Sequence, residues 1–198
     1  MITLSYTTIN NLILEPHTWL CKQMGLPTFT TGAMTEGKAA HKVIQEHVSG
    51  RVIDPRLAMV KCTFKTVETK DQDPATHFLI PHSKNYAVHG YLDGLDIDRF
   101  LEIKTSSNPW SMGQFARLMQ WRVYALSNPA YKTAWFITCT RDLRNPAVYK
   151  IDVTDKDRQM AREWIDKGIA IIEAGNFDYN GTGRSHFCNY IGCPFCGQ

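Results

Sequence analysis

Asp93, Glu102 and Lys104 fall in one short stretch, His89–Ser107, which reads HGYLDGLDIDRFLEIKTSS. Two apolar runs flank a tight acidic turn, the pattern of a β-hairpin. Side chains on a strand alternate between faces, so Glu102 and Lys104 project to the same side. A hairpin that carries Asp93 on its other run would gather two carboxylates and an ammonium group. Carboxylates are hard oxygen ligands suited to magnesium or manganese. A neighbouring lysine can orient a water or balance charge on a phosphate. Together these are the minimum set for metal-assisted phosphodiester hydrolysis. The same string would also suit a solvated sheet face. Asp96 and Asp98 have the spacing that opens a calcium loop, but its third ligand and its glycine are missing.

A second cluster lies at the other end of the chain. Cys188, Cys193 and Cys196 occur in the closing run RSHFCNYIGCPFCGQ. Gly192 and Pro194 allow tight turns that leave backbone N–H groups facing thiolates, so the CPFC step reads as a metal loop. Three ligands are one short of a closed site, and Cys21 or His186 could be the fourth. Zinc and an iron–sulfur cluster both tolerate these spacings. Cys62 and Cys139 lie in predicted strands and read as small buried hydrophobes.

The remaining chain must position these groups. Its 198 residues suffice for one domain with a sizeable core, expected to span 1–198 with 1–25 and 180–198 forming the cysteine region. Hydrophobic content of 43% and charged content of 21% are those of an ordinary globular chain. A net charge of +3 is compatible with nucleic acid without demanding it. No apolar run is long enough to span a membrane and no signal peptide is seen, so a cytoplasmic location is expected.

Ser5 or Thr7 should cap a helix through residue 24 that Pro16 kinks or divides. Thr35 should cap a second helix ending at Gly50, with His41 at the margin of its apolar stripe. Gly32–Lys38 nearly spells a phosphate-binding loop, but Ala39 replaces the hydroxyl that would hold magnesium. Strands are expected at 57–67, 76–80, 86–92, 99–105, 131–140 and 147–153. An amphipathic helix is expected over 111–127, with Gln120 and Tyr124 one turn apart on a shared face. Thr154 with Asp157 resembles a capping box for a long helix that ends at Gly175. The order implies an α/β fold, a mixed central β-sheet flanked by helices.

In content and order the chain resembles the PD-(D/E)XK nucleases of the RecB-like branch, with a restriction-endonuclease-like core. Gly37-Lys-Ala-Ala-His41 resembles that branch's helix histidine motif and Gly90-Tyr-Leu-Asp93 its G-x-x-D. Glu102-Ile-Lys104 matches its E-x-K and Gln120-Trp-Arg-Val-Tyr124 its Q-x-x-x-Y helix. The early and late cysteines resemble those of the iron–sulfur members: the CRISPR-associated Cas-four exonucleases and the nuclease domains of AddB and the Dna-two helicase–nuclease. Those members usually show C-x-x-C before the longer gap, whereas here the longer gap comes first.

The resemblance implies that His41, Asp93, Glu102 and the backbone carbonyl of Ile103 hold one or two divalent ions, Mg2+ or Mn2+. Lys104 would position water or neutralise phosphate charge, and Gln120 and Tyr124 would orient Lys104 or the DNA backbone. Cys21, Cys188, Cys193 and Cys196 would hold a structural [4Fe-4S] cluster, with zinc as the alternative. Arg117 and Arg122 could meet phosphates. The implied activity is a single-strand DNA exonuclease of CRISPR spacer acquisition or of recombination and repair, working with an integrase or recombination partner. A structure-specific endonuclease on the same fold and a non-catalytic zinc-containing nucleic-acid-binding module are the alternatives.

Overall fold

The computed structural model describes residues 1–25, 31–68 and 73–177. The chain divides into two compact units. One comprises Met1–Thr30, Pro81–Val88 and Arg162–Gln198, and the other Thr31–Ile80 and His89–Ala161.

In the first unit, β1 (Ile2–Ser5) runs straight into α1 (Tyr6–Leu14). Ser5 is the turning point, its hydroxyl accepting from the Thr8 N–H at 3.1 Å. Pro16 separates α1 from α2 (His17–Gln23), the division expected of a proline inside a helical pattern. The later turns of α6 (Asp155–Ala174) pack on α1. Gly168 permits that approach, since a Cβ there would lie 2.5 Å from Ile9 Cγ2, and Tyr6 stacks on Trp164 nearby.

The second unit is built on a five-stranded sheet ordered β2-β5-β6-β7-β8. These strands are β2 (Thr66–Val67), β5 (Gly94–Leu95), β6 (Arg99–Ser106), β7 (Thr133–Thr140) and β8 (Ala147–Asp152). β6 and β7 are parallel and the other pairs antiparallel. Parallel neighbours need a crossover, here supplied by α4 (Met112–Arg117) and α5 (Gln120–Ser127). Alternation on β6 sorts its side chains. Leu101 and Ile103 pack with Ala40, Ile44 and Val48 of α3 (Gly32–Val48). Phe100 meets Tyr124 of α5, and Phe136 of β7 meets Phe115 and Trp121 on that same side. The sheet is thus covered on both faces.

Four sequence expectations change. The run 57–67 forms a strand only at Thr66–Val67. Val60, Cys62 and Phe64 are buried with strand-like alternation, but their backbone pairs with the end of α3 instead of a ladder. The Phe64 N–H donates to the Val48 carbonyl at 3.0 Å, and the buried His47 imidazole holds the Val60 carbonyl at 3.1 Å. The 111–127 helix breaks at Leu118, whose ψ of 135° is extended, and the Trp121 indole N–H donates to the Phe115 carbonyl across the break. The second helix begins earlier than expected, capped by Thr31, so the phosphate-loop look-alike at 32–38 is simply helix. Finally, β4 (Tyr86–Tyr91) does not join the hairpin. It lies beside β3 (His77–Pro81), and the hairpin proper pairs Gly94 with Leu101 and Leu95 with Phe100.

Candidate metal centre

Because β5 is only two residues long, the flank of β6 beyond Leu101 pairs with no strand among the described residues. Asp93, just before β5, fills the gap with its side chain. One carboxylate oxygen accepts the Ile103 backbone N–H at 2.6 Å and the other lies 3.0 Å from His41 Nε2. A residue in an extended strand presents its N–H and C=O to the same side, so the Ile103 carbonyl faces this flank too. His41 is delivered by α3, which meets β6 at Gly37. The Thr105 hydroxyl donates to the Gly37 carbonyl at 3.2 Å, and a Cβ on Gly37 would lie 3.4 Å from that hydroxyl.

Glu102 and Lys104 project to the α5 side of the strand and form a close ion pair. The Lys104 ammonium also donates to Gln120 Oε1 at 2.8 Å, and Gln120 Nε2 donates to the Tyr124 hydroxyl at 2.6 Å. The break at Leu118 places Gln120 at the first turn of α5, where it can reach Lys104. Gly90 gives Phe78 and Tyr124 room to close in from β4's side, since a Cβ there would sit 2.8 Å from the Phe78 ring. All of the residues expected from the motifs — His41, Asp93, Glu102, Ile103, Lys104, Gln120 and Tyr124 — line one open cavity of about 650 Å³.

Sequence reasoning missed Glu68. One ligand atom each from His41, Glu68 and Asp93 lie within 4.8 Å of one another. The Glu68 N–H donates to the Asp93 carbonyl at 3.1 Å, an extension of the β2–β5 pairing, and Gln45 Nε2 donates to its carboxylate at 3.2 Å. Gln45 lies one turn beyond His41 on α3, which was a legible local signal. The placement of Glu68 was not, because it depends on the pairing of Val67 with Gly94. The Glu102 carboxylate lines the same cavity, but its direct partner is Lys104 rather than the three-residue group.

The electrostatics fit a cation. Burial, with Glu102 only 2% exposed, pushes that carboxyl up to about 7 against the pull of Lys104, and Asp93 adds to the push. Burial opposes the charged form of His41, but Asp93, with Glu102 and Glu68 behind it, outweighs this and holds the imidazole above its ordinary value. The His41 shift reports the carboxylates around it, whereas the Glu102 shift reports chiefly its burial. The donors are carboxylate oxygens and an imidazole nitrogen, a set suited to a hard or borderline divalent ion such as magnesium or manganese.

Other expected site residues lie elsewhere. Arg122 is engaged structurally: its Nε donates to Asp157 at 3.0 Å and its guanidinium covers the Trp121 ring at 4.5 Å. Arg117 is held by the Gly113 carbonyl at 3.0 Å. Cys21 is buried on α2, whereas Cys188, Cys193, Cys196 and His186 lie outside the described residues. Cys62 and Cys139 are buried in the core as expected, and burial raises both thiols, that of Cys139 to about 11.

No protein-family model matches the chain, and no curated protein matches it by sequence. Solved structures do. The protein SSO0001 superposes with a TM-score of 0.56 at 17% identity, over 99% of this chain and 88% of that one. The exonuclease LHK-Exo of Laribacter hongkongensis, in complex with dAMP, gives 0.50 at 13% identity over 87% and 88%. A putative exonuclease from Eubacterium rectale gives 0.51 at 11% over 88% and 81%. The chain shares the fold of these structures, a mixed sheet flanked by helices as expected of a restriction-endonuclease-like core. At these identities the likeness establishes the fold, and the chemistry must be argued from the side chains. Among the described residues no helix is long and apolar enough to cross a membrane.

Proposed function

We propose that this protein is a divalent-metal-dependent deoxyribonuclease that hydrolyses phosphodiester bonds at the β6 cavity, acting as an exonuclease on single-stranded ends. The observation that carries the reading is the convergence of His41, Glu68 and Asp93 on one point beside the Glu102–Lys104 pair, in a fold shared with exonucleases. His41, Glu68 and Asp93, with Glu102 and the Ile103 carbonyl, would hold the ion. When bound, the ion polarises the scissile phosphate and lowers the pKa of water. Asp93 fixes the His41 ring and the strand edge through its two oxygens. Glu102 holds the Lys104 ammonium and, once ionised, accepts a proton from an attacking water. Lys104 places its charge where negative charge grows on phosphate. Gln120, pinned by Tyr124, holds the ammonium from the far side.

The cysteine reading belongs to the same proposal. Cys21 with Cys188, Cys193 and Cys196 would hold a [4Fe-4S] cluster or zinc, a reading supported by sequence spacing. A brown protein with visible charge-transfer absorbance supports the cluster, and a colourless, zinc-loaded one removes it. The enzymatic reading is tested by digesting end-labelled single- and double-stranded DNA with magnesium or manganese, against chelator. Shortening of single strands that chelator stops is the expected result. Intact DNA with either metal would remove the nuclease and leave the nucleic-acid-binding module.

A further inference from the structure

A second cavity, of about 420 Å³, opens where β6 and β7 end. It is lined by Glu36, Ser107, Thr140, Arg141, Asp142 and Arg144. Two elements carry it directly out of the metal-site cavity. On α3 the lining passes from Gly37 to Glu36, and past the end of β6 it passes from Thr105 to Ser107. Lys104 and Ser107 are about 10 Å apart along an extended chain. A strand cut beside Lys104 would therefore lay a backbone phosphate a few nucleotides away at this second cavity.

The basic residues there differ in their commitments. The Arg144 guanidinium is taken by Asp142, whose carboxyl is held down to about 2 by Arg144 and by the Thr140 hydroxyl. Glu36 is exposed on the rim and its charge is left in solvent. Arg141 is half-buried, and its guanidinium meets no hydrogen-bond or carboxylate partner among the described residues. A guanidinium whose donors are not committed to a carboxylate can give them to an arriving anion as charge-assisted hydrogen bonds.

The backbone holds Arg141 in place. Its N–H donates to the Ser106 carbonyl at 3.1 Å, tying the turn to the end of β6. The turn is closed by Leu143 and Asn145 at φ of 64° and 52°, uncommon for residues other than glycine, with Leu143 buried. Ser107 adds a hydroxyl to the lining, while the Thr140 hydroxyl is committed to Asp142 and to the Arg144 backbone.

We propose that this cavity is a phosphate-binding subsite for the nucleic-acid strand, with Arg141 as its anion-holding residue. The proposal rests on the nuclease reading for the identity of the strand. The shared chemistry is phosphate, from either an internal diester or a terminal monoester.

The test is fluorescence anisotropy with the full-length protein in a Glu102→Gln background, where binding is read without cutting. The probes are labelled DNA single strands with a 5′-phosphate, a 5′-hydroxyl or a 3′-phosphate, and an unlabelled circular strand as competitor. Arg141→Ala is expected to bind about tenfold more weakly at low salt, with the slope of log affinity against log salt reduced by about one. A loss confined to one phosphorylated end assigns the terminal monoester, and an equal loss that includes the circle assigns the diester. Arg141→Gln keeps the side-chain stem, so it answers the same question if the alanine variant fails to fold. Unchanged affinity and salt slope in the folded variant would overturn the subsite. DNA left intact by the wild type would remove the nuclease reading but leave this binding measurement standing.

Discussion

Strand β6 carries two charge clusters, and they are built on opposite terms. At its start, Arg99 donates to Asp96 at 2.6 Å and to the Thr63 carbonyl at 2.9 Å, and its guanidinium lies 4.7 and 5.0 Å from the Phe64 and Trp135 rings. Asp96 also accepts the Lys65 N–H. Each charge there is answered by an opposite charge, a dipole or an aromatic face. Three residues further on, Glu102 is buried beside Asp93, Glu68 and His41, with Lys104 as the adjacent cation. Both Glu102 and His41 are shifted toward protonation. The first cluster lowers the energy of the folded chain. The second gathers His41, Glu68 and Asp93 where a divalent ion could be held, and it is where the proposed chemistry is placed.

This contrast can be broken by substitution. Glu102→Gln or Lys104→Ala should reduce metal-dependent DNA hydrolysis on the order of 10³-fold while the protein still melts cooperatively. A comparable loss from Arg99→Ala in folded protein would erase the distinction between the clusters. Gln45→Ala releases the Glu68 carboxylate, and it should raise the manganese concentration for half-maximal activity about 10-fold or more, with little change at saturating metal.

The pH dependence sharpens the same point. Glu102 is raised from about 4.5 to about 7 on folding, so between those values the native state holds a proton that the unfolded chain has released. Its contribution therefore falls as pH rises through that window. His41 is raised above 6.5, so its contribution is complete below that value and is lost as pH climbs through the folded pKa. Both act in one direction. Without metal, stability should decline from pH 5 to 8 by on the order of a few kcal/mol. Glu102→Gln or saturating magnesium should flatten the decline, and a flat profile for the metal-free wild type would contradict the burial of Glu102 and the pairing of His41. The smallest effect is expected from Arg99→Ala: about 1–2 kcal/mol of stability, read by chemical denaturation, with activity per folded molecule unchanged.

Features set by the local backbone period agree between sequence and structure. Alternation along a strand put Glu102 and Lys104 on one side, and the i, i+4 relation joined Gln120 to Tyr124, because both follow from backbone period alone. Pro16 divided its helix, and Thr154 with Asp157 opened α6, for equally local reasons. The errors came where burial was secured by distant partners. The apolar alternation over 57–67 resembled a strand, yet its backbone groups were claimed by the end of α3. The apolar spacing over 111–127 fits one helix, and the break at Leu118 answers to the way Phe115 and Trp121 seat around Phe136.

From the amino-acid order alone came the α/β class, the strand bearing the acid–lysine pair and the helix bearing His41. Tertiary structure alone decided that Glu68 joins them, that Asp93 caps the Ile103 N–H at the strand edge, that Arg122 is spent on Asp157, and that Arg141 lines the second cavity. The division has one physical cause. Side-chain direction repeats with the local backbone, whereas strand pairing and sheet edges depend on segments far apart in the chain.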